Sequence, residues 1–100
     1  MRTKMISLII RIKRNDQFEG KRLHELIISL LLQNNISGCT VWSGVDGFGK
    51  RRRSTSRTED NMPLVIEVID EKLNIEPLLP EIKRIVGGNG VITIHEVDAI

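Results

Sequence analysis

Aromatic side chains are almost missing from this sequence: Phe, Trp and Tyr together make up 3% of it, and there is no tyrosine at all. A core must therefore be built from Ile, Leu and Val, branched side chains that favour strands and tight layered packing. Cysteine occurs once, as Cys39, which excludes an intramolecular disulfide and, without a CxxC companion, a cysteine-based zinc site. That usage fits a reducing cytosol, and a cytoplasmic location is expected. Long apolar runs are missing too: the N-terminal run in MRTKMISLIIRIKR is broken by Arg11, Lys13 and Arg14 before it reaches the length of a signal core or a membrane span. No Ser-His-Asp, paired-carboxylate or P-loop pattern is present, so the chain is not read as an enzyme.

What is there describes a folded protein. Hydrophobic residues make up 40% and charged residues 28% of 100 residues, enough apolar material for one domain over 1–100 and far too much for intrinsic disorder. The pI near 9.0 comes with a formal charge of only +2, and much of the excess basicity sits in one place, Lys50 to Arg57.

The hydrophobic pattern gives the element order. Between Lys4 and Arg14, Ile6, Leu8, Ile10 and Ile12 share one strand face and Met5, Ser7, Ile9, Arg11 and Lys13 the other. The first face is wholly apolar and must be buried; the second is half apolar, which in a small domain points to contact with another subunit. NDQFEG then turns the chain. From Lys21 to Asn34, Leu23, Leu26, Ile27, Leu30 and Leu31 recur at helical spacing. GCTVWSGV reads as a strand, with Gly44 as a bulge or a point of close approach, and the segment from Gly47 to Asn61 as a long polar loop. PLVIEVID is a central strand, with Pro63 at its start where no ladder donor is lost. Asp70 or Asn74 caps a second helix whose Ile75, Leu78, Leu79, Ile82 and Ile85 face inward, with Pro77 and Pro80 confining its regular part to the later residues. Gly87 and Gly88 stop it, and VITIHEV alternates as the last strand. The order β-α-β-β-α-β is the ferredoxin-like α+β arrangement, an antiparallel sheet with two helices on one face.

Fold alone does not fix function, so the sites decide. Gly47-Phe48-Gly49 is followed by Lys50 and Arg51, and a second glycine-rich turn spans Gly87-Gly88-Asn89-Gly90. Glycines let backbone amides approach a phosphate and nearby cations neutralise it, although turns recruit glycine for conformational reasons alone.

The stretches ISGCTVWSGVDGFGKRR, MPLVIEVID and GGNGVITI resemble the PII signalling family, and more closely a family of short, uncharacterised PII-like proteins. The resemblance implies a homotrimer with its sheets facing inward, an adenine nucleotide bound in clefts between subunits, and a long loop that contacts a regulated protein such as a membrane transporter or channel. It implies that Ser37 lies beside the adenine, that Gly47, Phe48, Gly49, Lys50 and Arg51 form the base of the loop at the nucleotide, and that Glu67, Gly87, Gly88 and Gly90 complete the site. Arg52, Arg53 and Arg57 would then face the partner. Several family features are missing: the spacing from Thr40 to Gly47 carries one extra residue, no lysine stands near Gly88, and the regulatory tyrosine has no counterpart. These departures favour a less charged nucleotide such as AMP or ADP, or another ligand, over ATP.

Other readings stay beside this one. The Lys50–Arg57 run would bind nucleic-acid phosphates if the chain were a nucleic-acid module, but base stacking on this fold needs exposed aromatics, and only Trp42 is on offer, which reads as a packing residue. Ser54, Thr55, Ser56 and Thr58 beside arginines read as loop polarity before phosphorylation sites. His24, His95 and Cys39 have no metal-ligand spacing, and no metal is expected; Cys39 reads as a small buried side chain. Glu67, a carboxylate in an apolar strand, must be paired or functional.

Overall fold

The computed structural model describes residues 1–48 and 62–100. Strand β1 (Thr3–Lys13) is followed by a two-stranded ribbon, β2 (Gln17–Phe18) and β3 (Lys21–Arg22), then by helix α1 (Leu23–Gln33) and strand β4 (Thr40–Ser43). Strand β5 (Pro63–Asp70) leads through α2 (Lys72–Ile75) and a 3-10 turn (Glu76–Leu78) to α3 (Leu79–Val86) and the last strand, β6 (Val91–Ala99). The main sheet has the order β4-β5-β1-β6 with every neighbouring pair antiparallel, so the two most apolar strands lie in its middle. This is the expected ferredoxin-like arrangement.

The alternation in β1 sorts its side chains as the sequence predicts. Ile6, Leu8, Ile10 and Ile12 are buried, and they meet Leu64, Ile66 and Val68 of β5 and Leu23, Ile27, Leu31, Ile75, Ile82 and Val86 of the helices in one core. Burial of these branched side chains supplies the main driving force, about 1.5–3 kcal/mol for each fully buried one. The Pro-Leu-Leu-Pro stretch explains why the second helical segment is broken: Pro77 lies in the first turn of the 3-10 segment and Pro80 in the first turn of α3, the position where proline's missing N–H costs nothing. Gly87 closes α3 with φ 54° and ψ −132°, a conformation open to glycine alone.

Four details differ from the sequence reading. Lys21 and Arg22 belong to the ribbon and α1 begins at Leu23, because strands of two residues carry no hydrophobic period for a sequence pattern to reveal. Neither Asp70 nor Asn74 is the N-cap of α2; that position is Glu71, and no side chain caps it. Cys39, in the segment that leads into β4, is exposed, and so is Trp42, at 45%, which lies on an edge strand none of whose four residues is buried.

Candidate functional site

The face of the sheet away from the helices is open. Register places Met5, Ser7, Ile9 and Arg11 of β1 beside Val97, His95, Thr93 and Val91 of β6 on one side. On the other side stand Ile69, Glu67 and Val65 of β5, then Thr40 and Trp42 of β4. Ile69 is 44% exposed and Val91 52%, so the half-apolar character of this face survives in the folded chain. At its centre Ser7 is buried and its hydroxyl donates to Glu67 Oε2 at 3.3 Å. The carboxylate that stood out in the apolar strand thus has a partner within the chain.

The two ends of the sheet carry different groups. At one end β1 finishes beside the start of β5, with Lys13 opposite Pro63, and the Gly44 amide donates to the Pro63 carbonyl at 2.7 Å. A Cβ on Gly44 would come within 2.7 Å of Pro63 Cγ, so this glycine marks a close approach. The chain passes from here to Asp46, Gly47 and Phe48, and the Gly47 amide donates to Asp46 Oδ1 at 2.8 Å. Phe48 is exposed. Gly49, Lys50, Arg51, Arg52, Arg53 and Arg57 lie outside the described residues.

The Gly87–Gly90 turn is at the same end but at the opposite edge, where it feeds β6. Its glycines have different reasons. Gly87 has the positive φ already described, and a Cβ on Gly90 would fall 2.2 Å from the Arg11 carbonyl oxygen and 2.7 Å from Ile12 Cγ2. Gly90 is therefore required by the packing of the turn on β1. Gly88 has neither a positive φ nor any neighbour within 4 Å of a built Cβ, and the same holds for Gly47 and Gly38. The fold of a single chain gives no reason for glycine at these three positions.

Strand spacing sets how far apart the two glycine turns are. With β5 and β1 between the edges β4 and β6, three inter-strand steps separate them, about 14 Å. Ser37 is at the other end of the sheet, beyond the start of β4. Its amide and hydroxyl both donate to Asp70 Oδ2, at 3.0 and 3.2 Å. The sequence marks Asp70 only as a candidate cap; a signal for more is its place as an isolated carboxylate ending an apolar strand, followed by Asn74. Burial alone would raise the Asp70 carboxyl, but hydrogen bonds from Asn74, Ser37 and the Glu71 amide outweigh it and hold the group below the ordinary carboxylate value.

Near the ribbon, Arg22 Nη1 donates to the Arg14 carbonyl at 3.4 Å, while Arg14 Nε and His24 Nδ1 are buried with no hydrogen-bond partner among the described residues. Burial pushes the His24 pKa down, Glu25 opposes the shift, and Arg14 and Arg22 add to it. Among the described residues no group of three or more His, Cys, Asp or Glu is placed to hold a metal ion. No described helix is long and apolar enough to cross a membrane.

Comparison with known proteins places this architecture. The sequence model of a family described as DUF190, "Uncharacterized ACR", matches residues 5–99. A UPF0166 protein of Methanocaldococcus jannaschii is 34% identical over 92 residues, which cover 89% of this chain and 85% of the relative. A UPF0166 protein of Aquifex aeolicus is 31% identical over 90 residues, covering 86% and 84%. Among solved structures, CPII of Thiomonas intermedia K12, a nitrogen regulatory PII-like protein bound to ADP, AMP and bicarbonate, superposes with a TM-score of 0.80 at 17% identity, covering 99% of this chain and 91% of that one. The GlnK–ATP complex of B. subtilis gives a TM-score of 0.63 at 18% identity, covering 97% and 84%. At such identities the likeness is one of fold.

Proposed function

The chain belongs to the DUF190 family, and we propose that it is a PII-like regulatory protein that binds an adenine nucleotide, AMP or ADP in preference to ATP, in clefts between the subunits of a homotrimer. The observation that carries this reading is the position of the two glycine turns, at one end of the sheet but about 14 Å apart at opposite edges. Within one chain they flank no common site; a second copy set edge to edge would bring the Gly47 turn of one against the Gly88 turn of the next. The open sheet face supports the same assembly, because its apolar side chains lose their contact with water when copies pack face inward.

Gly88 leaves bare backbone where a ligand would approach, and at Gly47 a ligand phosphate would replace Asp46 as the acceptor of the amide. The sequence offers no lysine near Gly88 to neutralise a long phosphate tail, and this favours AMP or ADP. ADP and AMP are also the ligands of CPII. Ligand state would bias the arrangement of the segment after Phe48 and thereby its contact with a regulated protein, so that the chain acts by binding and not by turnover.

Titration calorimetry with AMP, ADP and ATP, on protein whose oligomeric state is measured by sedimentation, tests the proposal. The expected result is a trimer that binds AMP or ADP more tightly than ATP. Absence of heat with all three nucleotides would refute it. A parallel titration with single-stranded RNA, showing affinity that falls steeply with salt, would instead favour the nucleic-acid reading.

A further inference from the structure

Strand β4 carries Ser37 at its entrance and the Gly47 turn at its exit, yet little holds it in place. None of its four residues is buried, it pairs with β5 alone, and no helix covers it. Hydrophobic burial, the term that fixes the central strands β1 and β5, is largely missing here. What remains is the β5 ladder and a fixed point at each end. At the exit that point is the Gly44–Pro63 contact.

At the entrance it is one carboxylate. Asp70, the last residue of β5, is 5% exposed, and both of its oxygens are in use. Oδ2 accepts the amide and the hydroxyl of Ser37, 33 residues away in sequence, at 3.0 and 3.2 Å. Oδ1 accepts the Glu71 amide at 2.6 Å and Asn74 Nδ2 at 3.0 Å. A single anion therefore joins the end of β5, the start of α2 and the turn that leads into β4. Hydrogen bonds to a charged acceptor are stronger than neutral ones, and a buried acceptor is costly to leave unpaired. Next to this clamp Gly38 has open space around its backbone, so Ser37 is held from the inside while the outer flank of the turn is free.

We propose that Asp70 is a positioning residue for the ligand site: it touches no ligand, but by holding Ser37 it fixes where β4 starts and so where the β4 side of the site stands. This rests on the nucleotide-binding reading above for its functional consequence, although the clamp itself can be tested without a ligand. It also changes the role of Ser37, whose one hydroxyl proton is committed to Asp70, so that toward a base it can act only as an acceptor.

The test uses the full chain with Asp70→Asn, which is nearly isosteric, Ser37→Ala, Ser37→Thr and the double variant Asp70→Asn/Ser37→Ala. In the ligand-free protein, amide hydrogen exchange at Thr40 to Ser43 should accelerate about tenfold or more in Asp70→Asn while β1 amides are unchanged. AMP affinity should fall by a similar factor in Asp70→Asn and by less in Ser37→Ala. Ser37→Thr, which keeps both donors, should bind like the parent. The double variant should bind no more weakly than Asp70→Asn alone, because both changes break one linkage. Unchanged β4 exchange in Asp70→Asn overturns the clamp. Accelerated exchange with parental AMP affinity overturns the positioning role. A parent chain that binds no adenine nucleotide refutes the functional reading, and the exchange result then decides the clamp on its own.

Discussion

The contrast between Gly90 and Gly88 separates glycines that the fold needs from glycines that it does not. A methyl group at position 90 would sit 2.2 Å from the Arg11 carbonyl oxygen and 2.7 Å from Ile12 Cγ2, and the first contact is with backbone in the middle of the sheet end. Neither neighbour is the free tip of a flexible side chain, so the turn must lift off β1 or β1 must bend. Forced repacking of this kind costs about 1–3 kcal/mol. For a domain of this size each kcal/mol lowers the melting temperature by about 4–8 °C, so Gly90→Ala should melt roughly 5–20 °C below the parent. Gly88→Ala meets nothing within 4 Å and has an ordinary φ, so its melting temperature should stay within about 3 °C. Differential scanning calorimetry on both variants gives the answer directly. An unshifted Gly90→Ala, or a Gly88→Ala that melts as low as Gly90→Ala, would refute the assignment of the two glycines. With nucleotide present the order should reverse: Gly88→Val should lose AMP binding while keeping its fold, as seen by calorimetric titration.

Other expectations follow from the core, the open face and the titrating groups. Ile66→Ala, at a fully buried position in a central strand, should cost about 2–5 kcal/mol in urea unfolding. Ile69→Asp and Trp42→Asp, on the open face, should leave chemical stability of the folded chain nearly unchanged but shift sedimentation toward the monomer. For His24 the pKa in the folded chain is below the ordinary 6.5, so the unfolded chain binds the proton first. Stability should be complete above about pH 6.5 and fall as acid is added, and His24→Gln should flatten that slope in melts between about pH 7 and 5. Asp70 titrates below the ordinary 3.8, so its contribution is complete above that value and is lost as pH falls through the lower folded value; the parent and Asp70→Asn should converge in stability only at such acidity.

Much of the fold was legible because β1, β5 and α1 carry strong and different periods. The alternation of Ile6, Leu8, Ile10 and Ile12 and the helical spacing of Leu23, Ile27 and Leu31 each predict one buried face, and each face is buried. The ribbon was not legible, since Gln17–Phe18 and Lys21–Arg22 are too short to show any period. Trp42 and Cys39 differ for another reason: composition favours burial of both, whereas Trp42 lies on an edge strand and Cys39 in the segment leading into it, and edge position is a property of the whole sheet. The candidate site was legible as residue types but not as a place. Ser37, Glu67, Gly47 and Gly88 are scattered over two ends and both edges of one sheet, and the sequence says nothing of the hydrogen bonds that already occupy Ser37 and Glu67. Asp70 was missed because a carboxylate at the end of a strand looks the same whether it caps the next helix or reaches back across 33 residues.

The junction where β4 leaves the sheet and β5 rejoins it has a meaning of its own. Gly44 N–H meets the Pro63 carbonyl at 2.7 Å, and the Arg14 amide meets the Met62 carbonyl at 2.9 Å, so both banks of the crossing are tied to the sheet itself. Both described ends of the crossing therefore have fixed places on the sheet. Doubling such a connection costs only about 0.6 kcal/mol in closure entropy. On the proposed function the junction is a socket: with both ends tied to the sheet, a change of length or sequence between Phe48 and Met62 would suit a different regulated protein while the described scaffold stays the same.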